Sequence, residues 1–93
     1  MKVRIRTAGA LTHSLPSGED VLEGADFTIR SLIEALVKKF GPGLEAELLD
    51  GEEINEGLCM LVNGRNILSM PQKYDTSLQD GDEVFVTVLV SGG

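Results

Sequence analysis

Apolar and polar residues alternate near both ends of the chain. Residues 2–7 alternate basic side chains with valine, isoleucine and threonine, a pattern that predicts a strand with one buried face. Towards the other end, valine recurs at every second position from 84 to 90, which predicts a long last strand. The intervening Phe85 and Leu89 are apolar as well, so this strand should be central in a sheet or contact a partner on its second face.

Between these strands the apolar spacing changes to three and four residues. Thr28 is a residue type that caps helices, and Gly41 followed by Pro42 is typical of a helix end. The apolar positions between them form one stripe on a helix: Ile29, Leu32, Ile33, Leu36, Val37 and Phe40. The pattern therefore predicts one amphipathic helix, with Lys38 and Lys39 placed favourably near its negative end.

Shorter signals predict the remaining elements. Residues 20–23 can return beside the first strand as a hairpin, and residues 58–62 form an apolar run typical of a buried strand. Asn63-Gly64 is a strong signal for a type I′ turn, after which residues 65–68 can form a short partner strand. Leu44, Leu48 and Leu49 indicate a short helical turn that closes the core, and residues 69–79 are expected to be a loop.

This order of elements predicts an α+β fold. The first and last strands can pair in parallel at the centre of a mixed sheet of four to five strands, with one main helix packed on one face. That arrangement is the β-grasp, or ubiquitin-like, fold. We expect one domain over residues 1–90 and a flexible Ser-Gly-Gly tail over residues 91–93.

Composition narrows the choice of partners and compartment. The chain has 93 residues, a formal net charge of −7 and one cysteine. The negative charge disfavours nucleic acid and anionic membranes, and no apolar run is long enough to cross a bilayer. A lone cysteine and the absence of a signal-peptide pattern favour the cytoplasm. Cys59 is expected in the core, and His13 is expected to be an exposed loop residue because the chain has no second histidine and no cysteine lies near it in sequence.

Three features are candidates for function. Ser91, Gly92 and Gly93 would make a thin thread that suits insertion into a narrow site on another protein. An apolar docking patch is expected on the outer face of the sheet, formed by Phe85, Leu89, Met60 and Val62, although a larger internal core would also account for them. The acidic residues in segment 45–56 could bind a basic partner or simply face solvent.

Four motifs carry a resemblance to a known family: residues 28–36 (TIRSLIEAL), 61–67 (LVNGRNI), 78–84 (LQDGDEV) and the ending 90–93 (VSGG). On these, nearly the whole chain resembles the MoaD/ThiS family of ubiquitin-like sulfur carriers, and the ending is most similar to the small subunit of molybdopterin synthase. That branch usually has prolines just before the ending, where this chain has Val88 and Leu89.

The resemblance implies a carrier rather than an enzyme. Gly93 would be adenylated by a ubiquitin-activating-type enzyme that uses ATP, and then converted to a thiocarboxylate that donates sulfur. The carrier itself would bind no cofactor. Its acceptor would be an enzyme such as the molybdopterin synthase large subunit. The alternatives are a carrier for thiamin or another sulfur-containing metabolite, a modifier joined to lysines through Gly93, and a non-covalent ubiquitin-like binding module.

Overall fold

The computed structural model describes residues 1–89 of the chain. Its helices are α1 (Ile29–Phe40) and α2 (Pro42–Leu48), and its strands are β1 (Lys2–Ala8), β2 (Glu19–Glu23), β3 (Leu49–Asp50), β4 (Glu53–Ile54), β5 (Leu58–Val62), β6 (Arg65–Asn66) and β7 (Glu83–Val88). Single turns of 3₁₀ helix span Ile67–Ser69 and Lys73–Asp75. The predicted tail and the last valine of the predicted strand lie outside the described residues.

The strands form a mixed sheet in the order β2-β1-β7-β5-β6. β1 and β7 pair in parallel, with Ile5 beside Val84, and every other pairing in this sheet is antiparallel. α1 packs on one face, so the predicted β-grasp fold is confirmed. β3 and β4 form a separate two-stranded ladder that the sequence did not indicate.

α1 begins with a reciprocal cap. The Ser31 backbone N–H donates to Thr28 Oγ1 at 3.1 Å, and the Thr28 backbone N–H donates to Ser31 Oγ at 2.8 Å. Two of the backbone donors that a helix start leaves without partners are thereby satisfied. The helix ends where the Gly41 N–H donates to the Val37 carbonyl at 2.7 Å. Gly41 has a φ of 89°, a left-handed conformation that favours glycine.

One core lies between α1 and the sheet. Residues with no exposed surface occur in β1, α1, α2 and β7: Val3, Ile5, Ile29, Leu32, Leu36, Leu44, Leu48, Val84 and Val86. The predicted helical turn is confirmed for Leu44 and Leu48, which a helix of seven residues after Gly41 places in the core, whereas Leu49 lies outside the helix in strand β3.

In the second half of the chain the structure differs from several sequence-based expectations. Strand β6 stops at Asn66 because Ile67 turns into the core within a 3₁₀ turn, and Asn66 Oδ1 accepts the Leu68 N–H at 2.9 Å at the start of that turn. The expected loop contains a second 3₁₀ turn and a bridge between Thr28 and Ser77. The valine alternation of β7 predicts Val88 in the core with Val84 and Val86, but Val88 is the last residue of the strand, opposite half-buried Leu58, and is exposed.

Candidate functional site

The central strand β7 is held on both sides up to its end. Thr87 Oγ1 donates to the Ala8 carbonyl at 3.0 Å, and the Leu89 N–H donates to the Gly57 carbonyl at 2.9 Å. The chain therefore leaves the sheet from a fixed position at Leu89. Ser91, Gly92 and Gly93 lie outside the described residues, so the predicted role of Gly93 stays a prediction.

The face of the sheet opposite α1 carries a small apolar area. Phe85 on β7 and Leu61 on β5 are neighbours across the ladder, as are Thr87 and Cys59, and all four side chains are half-buried. We call these four residues the sheet-face patch. Because strand residues alternate between faces, this patch and the core share no side chain.

The expected docking residues divide between the two faces. Leu89 is 53% exposed and Phe85 lies in the sheet-face patch. The expectation that Met60 and Val62 join them on the outer face is wrong, since both are buried in the core, opposite Val86 and Val84 respectively.

The reason for the error lies in the composition of β5. Every residue of this strand is apolar, so the sequence pattern does not reveal which alternate set faces α1. Cys59 and Leu61 take the outer positions expected for Met60 and Val62. Buried Val84 and Val86 show which alternate residues of β7 face the core. The same choice for β5 follows only when the pairing register of the two strands is known.

Cys59 is consequently half-buried on the outer face, not in the core as expected. Its thiol accepts a weak hydrogen bond from Asn66 Nδ2 at 3.4 Å. An amide N–H cannot take up a proton, so this contact does not activate the thiol as a nucleophile. Within residues 1–89, no group of three or more His, Cys, Asp or Glu side chains could hold a metal ion. His13 is exposed, as predicted.

Strand β1 carries a row of basic side chains beside the sheet-face patch. Lys2 Nζ is 3.3 Å from Glu23 Oε1, and Arg6 Nη1 is 3.4 Å from Glu83 Oε1. Arg4, between them, has no carboxylate within 4.0 Å among the described residues. Exposed ion pairs of this kind contribute little to stability. The row instead presents the Arg4 guanidinium, which, within the described part of the chain, is free to pair with a partner's carboxylate.

The acidic segment 45–56 spans α2 and the β3–β4 ladder, and its carboxylates lie mostly in solvent. Glu47 is the half-buried member, and its Oε1 accepts the Ser14 hydroxyl at 2.8 Å. No helix in the described part of the chain is long and apolar enough to cross a membrane.

Comparison with known proteins agrees with the resemblance seen in the motifs. No protein-family model matches the chain. A protein of Archaeoglobus fulgidus named "Putative sulfur carrier protein" is 29% identical over 93 residues, and the match covers the whole of both chains. The chain thus resembles the small ubiquitin-like sulfur carriers over its full length.

Solved structures support the same fold and a similar size. The "Putative molybdopterin converting factor, subunit 1" of Pyrococcus furiosus is 27% identical with a TM-score of 0.74, and the match covers 97% of this chain and 99% of that one. A crystal structure of SAMP1 from Haloferax volcanii has a TM-score of 0.77 at 22% identity, and the match covers the whole of both chains. These relatives are small β-grasp proteins, and the resemblance to sulfur carriers predicted from the sequence is confirmed.

Proposed function

We propose that this chain is a sulfur carrier whose terminal Gly93 carboxylate is adenylated and converted to a thiocarboxylate. The observation that carries the proposal is the full-length similarity to the Archaeoglobus carrier, which extends to the last glycine. The similarity to the Pyrococcus molybdopterin converting factor subunit favours molybdopterin synthesis as the pathway that uses the sulfur.

The chemistry explains why such a carrier needs a second protein. A terminal carboxylate is ionised at neutral pH and is a poor electrophile. Attack of its oxygen on the α-phosphorus of ATP releases pyrophosphate and leaves an acyl-adenylate at Gly93. A sulfide-level donor then forms the C–S bond, and AMP leaves with the former carboxylate oxygen. The adenylating enzyme supplies the ATP site, and the carrier supplies the acyl group.

The end of β7 suits this role. Leu89 is fixed by its hydrogen bond to Gly57, and the four residues that follow reach at most about 14 Å when extended. The folded body therefore remains at the mouth of a partner's active site while Gly93 enters it. A fixed exit point limits the positions that the carboxylate can sample, which favours reaction at one site.

Docking of the body is assigned to apolar groups on the outer face of the sheet and at the end of β7. We propose that Phe85 and Leu89 contact the adenylating enzyme, and that Leu61 and Cys59 complete the surface in place of Met60 and Val62. The same surface would meet the acceptor enzyme, such as the large subunit of molybdopterin synthase, in a separate step. Sequential use of one surface lets the carrier leave one partner before it binds the next.

The test is thiolation in a defined mixture. The purified chain is incubated with its adenylating enzyme, ATP and sulfide, and intact-mass spectrometry should show one oxygen replaced by sulfur, located in the terminal peptide. A reaction without ATP is the control and should leave the mass unchanged. No mass change in the complete mixture would contradict the proposal. A bond from Gly93 to a lysine of another protein would instead identify the chain as a protein modifier.

A further inference from the structure

A groove lies beside the open edge of β5. It has a volume of about 310 Å³ and is bounded by β5, the β3–β4 ladder and the 3₁₀ turns. β6 pairs only with Leu61 and Val62, so within the described chain residues 58–60 have no strand beside them on that side. The Leu58 N–H donates to the Asn55 carbonyl at 2.9 Å, and beyond this contact the groove lies against a strand edge that no other strand of the described chain covers.

The walls of the groove are apolar and partly exposed. Met60 and Ile67 form a buried floor, while Leu68 and Leu89 rise at the sides with 61% and 53% of their surface exposed. They are the two most exposed large hydrophobic residues among residues 1–89. Two such side chains on one concave surface indicate a binding site more strongly than isolated exposed residues do.

The charge at the rim has one sign. Glu53 and Glu56 are exposed at the groove, and none of its lining residues is basic. The Ile54 N–H donates to the Tyr74 hydroxyl at 3.0 Å, and this bond holds the β3–β4 ladder in place as one wall. The rim therefore carries two exposed carboxylates that attract cations and repel acidic segments.

We propose that this groove binds an extended segment of a partner protein in which apolar residues are flanked by lysine or arginine. Its strand-like backbone lies along residues 58–60, its apolar side chains enter between Leu68 and Leu89, and its cations pair with Glu53 and Glu56. The groove shares Cys59 with the sheet-face patch and Leu89 with the docking surface proposed above, and binding here does not depend on the chemistry of Gly93.

The first experiment uses a synthetic peptide, acetyl-Lys-Lys-Val-Leu-Val-Lys-Lys-amide, titrated into the ¹⁵N-labelled full chain. We expect saturable shifts of the amides of residues 58–60 and Leu68, and weaker binding at high salt because the ion pairs are screened. Two control peptides replace the apolar residues with serine or the lysines with glutamate. Each should bind at least about tenfold more weakly, since each removes one of the two features that the groove recognises.

The second experiment changes the groove. Leu68→Ser removes an exposed side chain and should leave folding intact. It should nevertheless weaken binding of the lysine peptide about fivefold or more. Glu53→Gln with Glu56→Gln should weaken it and remove much of its salt dependence. Val21→Ser and Glu45→Gln are matched controls on β2 and α2, away from the groove, and should leave the affinity unchanged.

Several results would overturn the proposal. These are the absence of saturable shifts, shifts confined to Phe85 and Leu61, or equal affinity for Leu68→Ser and Val21→Ser. Groove shifts that appear on raising the protein concentration without peptide would assign the groove to a second copy of the chain. If deleting residues 90–93 changes the chemical shifts of the groove residues, and adding peptide changes them no further, the groove would instead bind the chain's own end.

Discussion

Phe85 and Leu61 are cross-strand neighbours on the face of the sheet that α1 does not cover. Both are half-buried by their neighbours, so each still presents part of an apolar side chain to solvent. The two lie on the central strand and the strand beside it, with Phe85 the third residue of β7. This pair is the basis for the first prediction.

Phe85→Lys should leave the fold intact and weaken binding to the adenylating enzyme about tenfold or more, because it places a charge in an apolar contact. Val21→Lys is the matched control, since it adds the same charge to the same face of the sheet on edge strand β2. Isothermal titration calorimetry with each variant measures the difference. Equal affinities for the two variants would remove the sheet-face patch from the interface.

Met60 and Leu61 are adjacent in sequence but should differ in their effect on stability. Met60→Ala creates a cavity in the core and should lower the free energy of unfolding by about 2–5 kcal/mol. Leu61→Ala removes a half-buried side chain from the outer face and should cost clearly less. Urea denaturation of both variants tests the order. A larger loss of unfolding free energy for Leu61→Ala would mean that Leu61, and not Met60, faces the core.

Gly64→Val should destabilise the β5–β6 turn by about 1–3 kcal/mol through backbone strain. Gly64 has a φ of 87°, and an added Cβ would meet no atom within 4 Å, so the expected loss comes from the backbone conformation and not from a clash of the Cβ. Gly64→Asn is the control, because asparagine tolerates this conformation and should retain most of the stability. Thermal denaturation compares the two. A Gly64→Val variant as stable as Gly64→Asn would exclude the strain.

Deletion of Gly93 should reduce thiocarboxylate formation about 100-fold or more while stability is unchanged. The deletion moves the terminal carboxylate back by about 3.5 Å, which is comparable to the distance over which reacting atoms must meet. Ser91→Ala keeps the length of the tail and should be thiolated at nearly the normal rate. If the shortened chain reacts as fast as the full one, Gly93 is not the sulfur-carrying residue.

The elements with a single clear period were predictable from the sequence. α1 has one apolar stripe and β1 has one apolar face, so each had only one orientation that buries its apolar residues. In β5 both alternate sets are apolar, and the choice between them is made by pairing with β7, which lies more than twenty residues away. The position of Cys59 on the outer face follows from that pairing and could not be read locally.

The groove was also beyond prediction from sequence. It exists because Ile67 turns into the core and ends β6 after two residues, and because the β3–β4 ladder is held against Tyr74. Each of these is a tertiary contact between segments with weak local preferences. The acidic residues of segment 45–56 were visible in the sequence, but only the fold shows that Glu53 and Glu56 lie at the rim of an apolar groove.

The parallel pairing of β1 with β7 has a consequence for synthesis of the chain. The strand that joins the β1–β2 hairpin to the β5–β6 hairpin is made after both, so the sheet can close only once residues 83–88 have left the ribosome. A product that ends before Glu83 would lack this central strand and would expose both hairpins to cellular proteases.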